Sequence, residues 1–201
     1  MNLSEEVSKT NIKILKINNL YLHSKYDPIK EAKRIAEKSY KPHHLHILFG
    51  YGYGYIVEEL INLFQFNEPL LIIDPLVDKG LLQIKNYSYS RLYFYNSTNI
   101  LGMKIMLDQL GSYTTKVQTV ISMNYDKLFP LQLKAVTDAV TENINKQILN
   151  LNTVERFAHD WHLNLVLNTS HVLNDFLFES LNKKYDCPIV IASGGPSLSK
   201  Q

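Results

Sequence analysis

One cysteine, Cys187, occurs in 201 residues, so no internal disulfide can form, and a reducing compartment is favoured. The first residues, Met1-Asn2-Leu3-Ser4-Glu5-Glu6, carry neither a basic stretch nor an apolar one, and no secretory signal is read there. Long apolar runs are missing too. Glu58-Glu59, Gln65 and Asp74 interrupt the longest stretches too early for a bilayer span. Charge of one sign is scarce: 21 basic residues face 19 acidic ones, a net charge of +2. That balance supplies no large field to steer the chain onto nucleic acid or anionic lipid. No nucleophile elbow, no phosphate loop with its lysine and no paired-carboxylate motif is present, so no catalytic residue is assigned. His159 and His162 have helical spacing, with Asp160 and Cys187 as the other ligand types, but nothing signals the third and fourth ligands zinc requires, and no metal site is assigned. The expectation is a cytoplasmic chain that contacts neither membrane nor nucleic acid.

What is present is an alternating pattern. Residues Asn11 to Leu22 are rich in β-formers and suggest a hairpin turning at Asn18-Asn19. Asp27-Pro28 then reads as a helix start, an N-cap acceptor followed by a residue with no amide hydrogen to leave unpaired. The helix is expected over Pro28 to Ser39. Short apolar runs at His46–Phe49, Leu70–Ile73, Arg91–Tyr95 and Val117–Ser122 read as buried strands, and helical periodicity fills Tyr55–Phe66, Val77–Ile84 and Ile100–Leu110. This alternation predicts a Rossmann-like, doubly wound α/β domain over residues 1–130, with a mainly parallel sheet and an N-terminal β-hairpin. Residues 131–184 read as a helical connector of two or three helices, breaking near Asn150-Asn152 and Asn168-Ser170. Residues 185–201 read as the first strand and loop of a truncated second α/β domain.

Two loops carry ligand-binding character. Gly50, Gly52 and Gly54 follow the first parallel strand and precede a helix, where glycines let backbone approach a ligand and free amides face an anion. Asp74 ends the next strand, where such folds hold a ribose hydroxyl, and the spacing also suits the adenosylmethionine (SAM) pocket of a methyltransferase. The bland alternative is a tight strand-to-helix turn with no ligand. The second loop is Gly194-Gly195-Pro196-Ser197, whose amides could converge on a phosphate. Without a following helix it lacks the dipole that would complete such a site.

Three stretches together resemble one family. Leu22-His23-Ser24-Lys25-Tyr26-Asp27-Pro28-Ile29-Lys30-Glu31-Ala32 is similar to the opening motif of the motility accessory factor (Maf) family, bacterial glycosyltransferases that modify flagellin. Leu48-Phe49-Gly50-Tyr51-Gly52-Tyr53-Gly54-Tyr55 resembles the glycine loop of their N-terminal domain, with Asp74-Pro75 as the acidic end of the next strand. Arg156-Phe157 through Trp161, Asn164 and Asn168 resemble the helical stretch before their central domain. Cys187 through Leu198 resembles the entry to that MptE-like central domain. The resemblance implies that the complete protein transfers a nonulosonic acid, pseudaminic or legionaminic, from its CMP donor to Ser/Thr hydroxyls of flagellin, with or without a divalent metal. Only Gly194, Gly195, Pro196 and Ser197 of the donor site map onto this chain. It is therefore expected to be an accessory or scaffold portion, inactive by itself and without a cofactor of its own, that positions flagellin or supports a homo-oligomer. Two other readings stand beside it: a small SAM-binding methyltransferase-like enzyme, and a purely structural interaction module in which Pro188–Ala192 pairs as a strand.

Overall fold

The computed structural model describes residues 2–111 and 116–174. The expected strand at Pro188–Ala192 and the Gly194–Ser197 turn lie outside them. The described residues are mixed α/β, with one antiparallel and one parallel sheet.

Three strands form the antiparallel sheet in chain order: β1 (Leu3–Val7), β2 (Lys13–Ile17) and β3 (Leu20–Tyr21). The expected turn at Asn18-Asn19 joins β2 to β3, and Asn18 sits at φ 52°, a left-handed conformation that asparagine tolerates. The hairpin gains a strand that periodicity did not reveal. β1 reads Leu-Ser-Glu-Glu-Val, too polar to stand out, yet it pairs with β2 from Leu3 opposite Ile17 to Val7 opposite Lys13.

Helix α1 (Pro28–Ser39) begins as its sequence dictates. Asp27 accepts from the Lys30 amide at 2.9 Å, Pro28 occupies the first turn, and Ala32 and Ala36 face the core. Four strands then build the parallel sheet: β4 (Leu45–Phe49), β5 (Leu70–Ile73), β6 (Leu92–Tyr95) and β7 (Val117–Ile121). Their spatial order is β6-β5-β4-β7, so the chain builds outward from β4 on one side and then returns to add β7 on the other. Helices α2 (Tyr55–Leu63), α3 (Pro75–Asp78), α4 (Ile100–Gly111), α5 (Tyr125–Leu128) and α6 (Pro130–Asn174) complete the described elements.

Both faces of the parallel sheet are covered, which is why β4 and β5 are buried at every position. The two-residue period of a strand sorts the side chains. Leu45, Ile47, Phe49, Leu71 and Ile73 pack with β2, α4 and the first turns of α6. Leu48, Leu70, Ile72 and Val120 pack with α1 and α2. Each fully buried Leu, Ile or Phe contributes about 1.5–3 kcal/mol, so these strands anchor the unit.

Helix extents differ from the sequence expectation in three places. Instead of Val77–Ile84 there is one turn, α3, because Gly80 takes φ 68° and turns the chain out of the helix. Helix α2 ends at Leu63 rather than Phe66, and Asn67 follows at φ 55°. Beyond Pro130 the expected breaks do not occur: α6 runs unbroken through Asn150–Asn152 and Asn168–Ser170. No proline or glycine lies between Leu131 and Asn174, and a hydroxyl inside a helix can bond back one turn, as Thr169 does to the Leu165 carbonyl at 2.7 Å. Asparagine costs a helix too little to end it.

The chain divides into two compact units, residues 1–152 and 153–201. Both sheets, α1 to α5 and the first part of α6 belong to the first, and Val136, Ala139 and Val140 of α6 lie in its core. In the second unit, the described part of α6 exposes Val154, Phe157, Trp161 and Leu165.

Candidate functional site

The order β6-β5-β4-β7 fixes where a ligand would go. Connections leave β4 and β7 toward opposite sides, and in open parallel sheets the crevice between two such strands, at their carboxyl ends, is the usual ligand site. Gly50 continues β4 and Ser122 continues β7, with the Ser122 amide bonded to the Phe49 carbonyl at 3.0 Å. Asp74 ends β5 on the other side. Gly50, Gly52, Gly54 and Asp74, singled out from spacing, therefore gather at this crest.

What they touch is their own chain. Gly50, Gly52 and Gly54 take φ 99°, 57° and 82°, the left-handed region open to glycine. A Cβ on Gly50 would lie 2.6 Å from the ring of Tyr125. A Cβ on Gly52 would lie 2.5 Å from the His23 ring, and one on Gly54 would strike the Tyr87 hydroxyl and the Tyr51 ring. Backbone does approach something closely at each glycine, and each time it is an aromatic side chain from a distant segment.

Asp74 is equally committed. Its Oδ2 accepts from the Tyr51 amide at 2.6 Å, the Gly52 amide at 3.2 Å and the Tyr125 hydroxyl at 2.7 Å. Its Oδ1 accepts from the amides of Leu76 at 2.6 Å and Val77 at 3.4 Å, capping α3. Burial pushes this carboxyl above the usual carboxylate range, against the pull of those donors, Tyr125 foremost. Burial, and then the Asp74 charge, push the Tyr125 phenol well above 10. Asp74 therefore has no lone pair facing open space for a ribose diol, and the loop amides of Tyr51 and Gly52 are already spent. The residues at this crest do not fit a dinucleotide or SAM ribose. A cavity of about 130 Å³ does lie beside it, lined by Ile72, Asp74, Val77, Asp78, Phe94 and Asn96 among others. Ligand sites commonly enclose about 300–1,000 Å³, so this one is too small for a nucleoside.

The crest also ties the two sheets together. His23, just past β3, stacks on Tyr53 at 5.6 Å and meets Tyr55 edge-on at 5.2 Å. The Tyr55 hydroxyl donates to the Lys13 carbonyl of β2 at 2.9 Å, and the Asn124 amide side chain donates to the Tyr21 carbonyl of β3 at 2.7 Å. Burial pulls the His23 imidazole down to about 4, so it is neutral. Its Nε2 has no hydrogen-bond partner among the described residues.

The Leu22–Ala32 motif forms a helix-entry network. Ser24 Oγ accepts from the amides of Tyr26 and Asp27, and Glu31 reaches back to accept from the Ser24 amide at 2.7 Å. Tyr26 is left 65% exposed beside this network. Among the described residues no three His, Cys, Asp or Glu are arranged to hold a metal, and no helix is long and apolar enough to cross a membrane.

Periodicity and spacing do not point to Tyr125, His23 or Tyr87 as partners of the loop. The available signal for Tyr125 was its place just beyond a buried strand, at the same end of the sheet as Gly50. Compared with known proteins, the chain matches no family model, no curated protein and no solved structure.

Proposed function

We propose that this chain is a Rossmann-like, doubly wound scaffold domain that binds no nucleotide, and that it serves as the accessory N-terminal portion of a Maf-like glycosyltransferase. One observation carries the first half of the reading. The crest that would take a nucleotide is closed by the chain's own Tyr125, with every Asp74 bond and the nearest loop amides committed internally. A domain arranged in this way contributes surface and rigidity rather than chemistry. The second half rests on the order of sequence stretches that resemble the Maf family. On that reading transfer of the nonulosonic acid from its CMP donor needs catalytic groups other than those at this crest, in the cytoplasm, while this domain positions flagellin or holds copies of the enzyme together.

Two measurements test the reading. Incubated with CMP-pseudaminic acid and flagellin, the chain alone should give no sugar transfer; robust turnover would overturn the accessory role. Calorimetric titration with S-adenosylhomocysteine should give no heat of binding. Micromolar affinity that vanishes in Asp74→Ala would replace the scaffold with a SAM-binding, methyltransferase-like enzyme.

A further inference from the structure

We infer that Tyr125 is the glycine loop's built-in ligand, and that the space under its ring is a binding site for a small phenol once the ring is removed. The inference rests on the reading of a nucleotide-free crest and goes one step beyond it, naming what fills the site and what chemistry could fill it instead.

Position is the first argument. Tyr125 stands at the switch in strand order, between the ends of β4 and β7, where the geometry of an open parallel sheet leaves a crevice. Its side chain is fully buried there. The second argument is the hydroxyl. It donates to Asp74 Oδ2 at 2.7 Å and accepts from the Gly52 amide at 3.1 Å. A ribose hydroxyl at such a crest would make the same pair of bonds, one to the acid of the second strand and one to an amide of the loop. The phenol bridges the loop and the acid, adding its bonds to those that Asp74 Oδ2 already accepts from the Tyr51 and Gly52 amides. The third argument is the ring. It lies over Gly50 so closely that no Cβ fits, with Phe49 edge-on at 6.2 Å and Phe129 tilted at 5.8 Å. The walls are aromatic and planar, and the far end is polar. A flat molecule with one hydroxyl matches that shape and that polarity; a sugar or a purely aliphatic alcohol does not.

The experiment compares urea midpoints of the chain with and without millimolar phenol. Tyr125→Ala should be strongly destabilised, and phenol should restore a large part of the loss. Toluene, which fills the ring space and makes no hydrogen bond, should bind about tenfold more weakly. If Tyr125→Ala does not fold, refolding from urea with phenol present should recover it, and no recovery counts against the inference. Tyr125→Phe keeps the ring, so phenol should leave its midpoint unchanged; a rise in that variant would place the phenol elsewhere and overturn the assignment. Tyr125→Ala indifferent to phenol also overturns it while leaving the nucleotide-free reading intact. Binding of S-adenosylhomocysteine by the unaltered chain would instead overturn that reading.

Discussion

Gly50 and Gly80 separate two reasons for glycine. Both take positive φ, 99° and 68°, but a Cβ on Gly50 meets the Tyr125 ring at 2.6 Å while one on Gly80 meets nothing within 4 Å. Gly80→Ala should therefore cost only the backbone penalty, about 1–2 kcal/mol. Gly50→Ala adds a steric clash in a packed core and should cost about 3 kcal/mol or more. Urea denaturation of the two variants checks this, and equal midpoints would remove the packing account of the loop. The contrast also shows what was readable. The Gly-Tyr-Gly-Tyr-Gly spelling announces close approach, but the identity of the approaching group is written some 70 residues later, at Tyr125. Nothing local connects the two.

At the scale of elements, α6 holds two kinds of apolar residue. Its first turns present Val136, Ala139 and Val140 to the core, while Leu165 is 68% exposed. Leu107 of α4, 1% exposed, lies in the same core. Leu107→Ala should cost about 2–5 kcal/mol, whereas Leu165→Ala should shift stability by no more than about 0.5 kcal/mol. Urea midpoints again decide, and a large loss at Leu165 would mean that its face is covered in solution. Periodicity and capping residues make α1, α2, α4 and all four parallel strands legible in the sequence. They fail for β1, whose alternation is masked by Glu5 and Glu6, and for the length of α6, where asparagines read as stops. Turn-favouring residues end a helix only where the chain has something better to do, and along α6 it has not.

For the whole molecule the sharpest expectation concerns acid. Burial pulls the imidazoles of His23 and His46 down to about 4 from an ordinary 6.5, in the case of His46 against the nearby charge of Glu68. Their unfolded forms take up protons first as pH falls, so the folded state loses stability between about 6.5 and 4. The loss approaches about 3 kcal/mol per ring at the acid limit. Asp74 works the other way: its raised carboxyl favours the folded state only where it is protonated, so its contribution fades as pH climbs past its elevated value. Proton NMR titration should find both rings uncharged at pH 6, and either ring titrating near 6.5 would refute the expectation. The sequence by itself determined the alternation of strand and helix and the ends of α1, which follow from local periodicity and capping residues, and the gathering of Gly50 to Gly54 with Asp74 at one edge, because successive parallel strands present their carboxyl ends together. Only the tertiary structure decided what occupies that edge. Tyr125, His23 and Tyr87 reach the loop through strand order and the docking of two sheets, and contacts between distant segments leave no periodic trace in the chain.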